Sequence, residues 1–192
     1  TLATALVLPE RGGVHVQVQV APPDDQGRRE IALYSRVEER EEETPWTEHA
    51  TGVVCAPEDE ESVAADPRLG VWPPVGGEAL DLTELYPRLA AQGLVYGPAF
   101  QGLQEAWRVG DAVVGRVVLP ASISETAGDY GLHPALLDAA LHLLAAVGLV
   151  ETDAPDAVLL PFSWSDVTLY ATGASELRVW LERSETTRSS GE

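Results

Sequence analysis

The stretch HPALLDAALHLLAAVG, residues 133–148, carries a carboxylate and an imidazole four positions apart, Asp138 and His142, in largely apolar surroundings. Residues i and i+4 share one face of a helix, so the two side chains can touch. An aspartate among apolar neighbours is costly unless it is paired or protonated. Desolvation favours the neutral form of a carboxyl. A neutral carboxyl in a dry pocket is a general acid, able to give its proton to a departing hydroxide. The same pair also fits a structural role, as a satisfied polar contact that fixes the helix in place. Spacing alone leaves both readings standing.

The other candidate groups have plainer readings. His15 and His49 fall in strand-like segments and read as surface residues. His133 opens the helix and reads first as its cap. Cys55 is the single cysteine, so it makes no internal disulfide, and it has no Cys or His at ligand spacing. It reads as a small buried residue on a strand in a reducing, cytoplasmic setting. No Gly-rich phosphate loop is present.

Charge narrows the partners. The 192 residues hold 12 basic and 31 acidic side chains, a formal net charge of −19. Binding to nucleic acid or to an anionic membrane needs the opposite balance. The opening TLATALVLPE lacks the charged start and cleavage site of a signal peptide, and the apolar run after Pro134 is too short to span a bilayer.

The elements that must position the pair can be traced along the chain. VHVQVQV alternates, with Val14, Val16, Val18 and Val20 on one side, and reads as a half-buried strand. REIALYSR and HATGVVCA read as further strands, joined by the acidic and solvated EEREEETPW. Residues 57–77, rich in Pro, Gly and acid, read as a linker draped over a surface. DLTELYPRLAAQG reads as a short helix. YGPAFQGLQEAWRVG and DAVVGRVVLP read as two strands meeting at Gly110-Asp111. After the helix at 133–148 come AVLLPFSWSDVTLYA and SELRVWLERSE, again read as strands, and a frayed tail. The sum is α+β, antiparallel sheets around a buried helix.

Three stretches carry a resemblance. HPALLDAALH fits an HPALLDxxxQ/H pattern, GLVYGPAF fits GYxYGPxF with Leu94 in place of the first Tyr, and LPFSW at residues 160–164 fits LPFxW. LVLPERGGVHVQVQV and WTEHATG agree as well. In this order they resemble the dehydratase domain of a bacterial modular type I polyketide synthase, over its carboxy-terminal two-thirds. The resemblance implies a double hot-dog fold, two curved antiparallel sheets each wrapped around a helix, with the first hot dog incomplete in this chain. It divides the chain into residues 1–56, the remainder of the N-terminal hot dog, a linker at 57–77, and a C-terminal hot dog at 78–192.

The resemblance also implies roles. Asp138 is the catalytic acid, and His142 orients it or touches the departing hydroxyl. Tyr96 hydrogen-bonds near the same hydroxyl. Pro98 and Phe100 shape a substrate tunnel, and Pro161, Phe162 and Trp164 line or brace it. Phe100 and Trp164 fit a plain core role equally well. The substrate is a 3-hydroxyacyl thioester on the phosphopantetheine arm of an acyl carrier protein, the product a 2-enoyl thioester, and no intrinsic metal or redox cofactor takes part. Partners are the carrier protein, neighbouring synthase domains, the missing N-terminal hot-dog segment and a second copy in a homodimer. One departure stands out. The family's base is a His in an HxxxGxxxxP motif, and none of the four histidines here has Gly at the fourth following position and Pro at the ninth. The rival readings are a cyclase or double-bond isomerase of the same fold, or a degenerate scaffold domain.

Overall fold

The computed structural model describes residues 1–38, 45–56, 66–148 and 160–183. It divides into two compact units, one of residues Thr1–Glu61 with Leu160–Thr168, the other of Ser62–Leu159 with Leu169–Glu192. Residues 160–168 thus fall with the first unit, not with the segment 78–192 in which the sequence reading put them. The tail after residue 183, most of the acidic connection and the AVL that begins AVLLPFSW lie outside the described residues.

The first unit is a three-stranded antiparallel sheet in the order β1 (Val14–Val20), β2 (Arg29–Val37), β3 (Thr47–Val54). The strand expected from alternation at VHVQVQV forms over those seven residues. The turn into β2 is built by Asp24, whose carboxylate accepts from the Gln26 and Arg28 amides and pairs with the Arg28 guanidinium at 2.9 Å. The half-buried valine face does not form. Val16, Val18 and Val20 are 52%, 58% and 53% exposed, and among the described residues of this unit no helix covers them.

Three further expectations fail. His49 is buried, not on the surface, because both ring nitrogens find partners: Nε2 lies 2.7 Å from the Ser35 hydroxyl and Nδ1 lies 3.0 Å from the Thr4 carbonyl. Cys55, beyond the end of β3, is exposed and free. The segment read as the strand AVLLPFSWSDVTLYA forms no strand over 160–171. Pro161 has no amide to donate, the Phe162 carbonyl is taken by the Leu2 amide at 2.7 Å, and Asp166 adopts a left-handed φ of 55° that breaks an extended run.

The second unit is an antiparallel sheet in the order β4 (Glu78–Ala79), β5 (Leu103–Val109), β6 (Ala112–Val118), β7 (Glu176–Leu181). Its helix α2 spans Pro134–Ala146 and packs on β5, β6 and β7. A shorter helix, α1 (Leu85–Ala91), packs against α2. In α2 the residues at 136, 139, 140 and 143 are buried, the i, i+3, i+4, i+7 stripe of a helix with one apolar face. Leu136 and Leu143 are fully buried, and each such side chain contributes about 1.5–3 kcal/mol. Gly115 of β6 faces Leu143; a Cβ there would stand 2.6 Å from a Leu143 methyl. The glycine lets strand and helix approach.

The opposite face of this sheet holds the described end of the expected linker. Trp72 packs edge-on against Trp107 of β5, ring centroids 4.7 Å apart, and donates its indole N–H to Glu105 at 3.0 Å. Arg178 of β7 lies over Trp72 and donates to the Leu69 carbonyl, while Arg68 lies over Trp180. Burial and cation–π contact hold residues 66–77 on the sheet.

Candidate active site

Helix α2 begins as the sequence predicts. His133 is the cap: its Nδ1 accepts the Ala135 amide at 3.1 Å, and Pro134 takes the first helical position, where a missing N–H costs nothing. This fixed start sets the rotation of the helix, and with it the direction of Asp138 and His142.

The pair meets. Asp138 Oδ2 lies 3.2 Å from His142 Nε2. His142 is buried, whereas the Asp138 side chain is 36% exposed, so the carboxyl is not enclosed in a dry pocket. It straddles a boundary. Oδ2 is shut away beside the imidazole, and the exposure of the side chain lies on its other atoms. At 3.2 Å the two atoms are close, but they are not aligned as a hydrogen bond, and each is otherwise unpartnered. Buried polar atoms left this way cost about 1–3 kcal/mol each.

Two tyrosines close the site. The Tyr96 ring packs against the His142 ring, centroids 4.2 Å apart. Tyr86 of α1 sets its hydroxyl 3.3 Å from His142 Nδ1 and accepts the Leu103 amide, also at 3.3 Å. Burial pushes the Tyr86 phenol up to about 12, opposed by the Leu103 N–H and assisted by the charges of Asp138 and Tyr96. Burial, then Asp138, raises Tyr96 as well. Both phenols keep their protons at neutral pH and are donors. Tyr86 was not singled out in the sequence, where it is one more residue of a short helix.

The YGPAF loop is not the start of a strand. Pro98–Phe100 form a 3-10 turn that packs on α2, because Pro98 fixes its own φ and lacks an amide, and the Gln101 side chain bonds back to the Tyr96 carbonyl at 2.8 Å. Phe100 is 40% exposed. Asp138, His142, Tyr96, Pro98 and Phe100 therefore belong to one unit. Pro161, Phe162 and Trp164 belong to the other and are exposed, so Trp164 and Phe100 are not core residues. Among the described residues no three His, Cys, Asp or Glu side chains are grouped to hold a metal ion, and no helix is long and apolar enough to cross a membrane.

Residues 64–192 match the family model of the polyketide synthase dehydratase N-terminal domain. The chain belongs to the polyketide synthase dehydratase family. It is 48% identical to polyketide synthase GfsB of Streptomyces halstedii over 96% of its length, and 46% identical to the pikromycin polyketide synthase component PikAII of Streptomyces venezuelae over 94%. It spans only 3% and 5% of those two proteins. Among solved structures it is similar to the dehydratase domain from the terminal module of the rifamycin polyketide synthase, with 38% identity and a TM-score of 0.84 over 96% of this chain. The bifunctional dehydratase-cyclase domain of ambruticin biosynthesis gives 42% identity and a TM-score of 0.79 over 98%. The chain covers 63% of each solved domain. The fold of this dehydratase-family chain is α+β, of the double hot-dog class. The unit around α2 has the sheet-on-helix form of a hot dog, and the β1–β3 sheet is an incomplete one.

Proposed function

We propose that this chain carries the acid half of a dehydratase site. Asp138 gives a proton to the 3-hydroxyl of a 3-hydroxyacyl thioester held on an acyl carrier protein. A base removes the α-proton, the C–O bond breaks, water leaves, and a 2-enoyl thioester remains. Hydroxide is a poor leaving group, which is why the acid is needed. The observation that carries this reading is the split setting of Asp138, with one oxygen shut against His142 and the rest of the side chain open to an incoming hydroxyl. Tyr96, a donor beside His142, suits the same hydroxyl. Pro98 and Phe100 shape the approach from the neighbouring turn. The cluster at Asp138 needs no cofactor of its own for this step. The family relatives are long synthases, so neighbouring synthase domains and a carrier protein are the partners, in a dimeric parent.

The test is turnover of a 3-hydroxyacyl thioester by a polypeptide long enough to span the whole dehydratase domain. Asp138→Asn lowers turnover by about 10² to 10⁴, the usual worth of a positioned acid. It leaves melting nearly unchanged, because an amide of the same size and polarity occupies the site. His142→Gln costs far less, since an amide N–H replaces the imidazole N–H beside Asp138. Near-normal turnover by Asp138→Asn overturns the reading. The 192 residues alone give no turnover, because the HxxxGxxxxP base is not among them; activity of this chain alone, lost on replacing one of its four histidines, contradicts that.

A further inference from the structure

We infer that Tyr86 is a positioning residue that fixes which nitrogen of His142 carries the proton, and so turns a donor toward Asp138. The inference rests on the reading of Asp138 as the acid, but its core concerns the imidazole alone. A tyrosine hydroxyl has one proton to give and lone pairs to receive. The Leu103 amide has no choice of direction: it donates to the Tyr86 oxygen, at 3.3 Å. With a donor already bonded to that oxygen, the phenol proton is free to point at its other hydrogen-bond neighbour among the described residues, His142 Nδ1, at 3.3 Å. Nδ1 then accepts and is bare, and the neutral ring holds its proton on Nε2. Nε2 is the atom that faces Asp138 Oδ2 at 3.2 Å. The donors are ordered one way, from the β5 backbone through Tyr86 to His142, and the Nε2–H is left beside the carboxyl.

The consequence is chemical. When Asp138 gives up its proton a carboxylate is left behind, and an Nε2–H beside Oδ2 stabilises that charge as it forms. The other tautomer presents a lone pair to the same oxygen. It repels the carboxylate or takes the acid's proton for itself. The Tyr96 and Tyr86 rings pack edge-on against the imidazole, centroids 4.2 and 5.5 Å away, and oppose a flip that would exchange its nitrogens. The hydrogen-bond partner of Nδ1 therefore decides the tautomer.

The experiment is nitrogen-15 NMR of histidine-labelled protein, prepared at the length of the solved dehydratase domains, with His142→Gln used to assign the His142 signals. The expected result is an Nε2–H tautomer in the unaltered protein and its loss in Tyr86→Phe. An Nδ1–H tautomer or a doubly protonated ring in the unaltered protein overturns the inference, and so does an Nε2–H tautomer that survives Tyr86→Phe. In kinetics, Tyr86→Phe lowers kcat about ten-fold, the scale of one hydrogen bond, with KM unchanged; a changed tautomer with unchanged kcat overturns the positioning role. Because the tautomer is read without substrate, active Asp138→Asn with an Nε2–H tautomer sinks the acid assignment alone, whereas a wrong tautomer with inactive Asp138→Asn sinks the Tyr86 inference alone.

Discussion

Tyr86 buries its hydroxyl between a backbone amide and an imidazole, and burial pushes its phenol up to about 12. In the unfolded chain a tyrosine titrates near 10. Below about pH 10 both states hold the proton. Above it the unfolded chain releases the proton while the fold retains it, so the unfolded state gains. The stability tied to the neutral phenol is thus intact below about pH 10 and is lost as the pH climbs toward 12. Denaturant melts across this range should show Tyr86→Phe with a shallower alkaline decline than the unaltered chain; parallel declines would contradict the burial of this phenol. Asp138 and His142 were legible in the sequence because an i, i+4 contact is local geometry. Tyr86 was not, because its contact with His142 joins two helices across 56 positions. His49 was misread for a similar reason: strand alternation does not reveal a serine and a carbonyl that satisfy both of its nitrogens.

The close contact of β6 with α2 supports the site from beneath. Gly115 and the fully buried Leu143 share one space, and a methyl at 115 would lie within 2.6 to 3.1 Å of three Leu143 carbons. Gly115→Ala should therefore destabilise by about 1–3 kcal/mol, the range for overpacking a filled core. Gly128→Ala, with nothing within 4 Å of the new carbon, is the control, and equal melting of the two variants would refute the close-approach argument. The strand and helix here were readable, since the valine-rich DAVVGRVVLP opens at the Gly110-Asp111 turn and the 133–148 run is an apolar stretch of helical length. What failed were segments whose shape is set by single residues and distant bonds. Pro98 turned an expected strand into a 3-10 turn, and Asp166 with the Leu2–Phe162 bond kept 160–171 out of a ladder.

At the scale of the molecule, the β1 valines are an open apolar face on a strongly acidic chain. Exposed apolar area favours association, and a formal net charge of −19 opposes it. Salt screens only the second. Sedimentation of the 192-residue chain should show mass growing with concentration, and more steeply at high salt, with Val18→Lys reducing the effect; a monomer under all conditions would refute it. The charge balance was plain from composition, whereas alternation predicted a half-buried face and gave no sign that it lies bare. The tryptophans have a consequence of their own. Trp46 and Trp164 belong to the first unit, and Trp72, Trp107 and Trp180 to the second. Two indoles of the second unit stand nearly perpendicular, at 83°, with centroids 4.7 Å apart, a geometry that couples their electronic transitions. The near-ultraviolet circular dichroism band from that coupling is an optical label carried by the second unit alone. Followed beside the total fluorescence of all five, it reads out whether the two units lose their structure together or in turn.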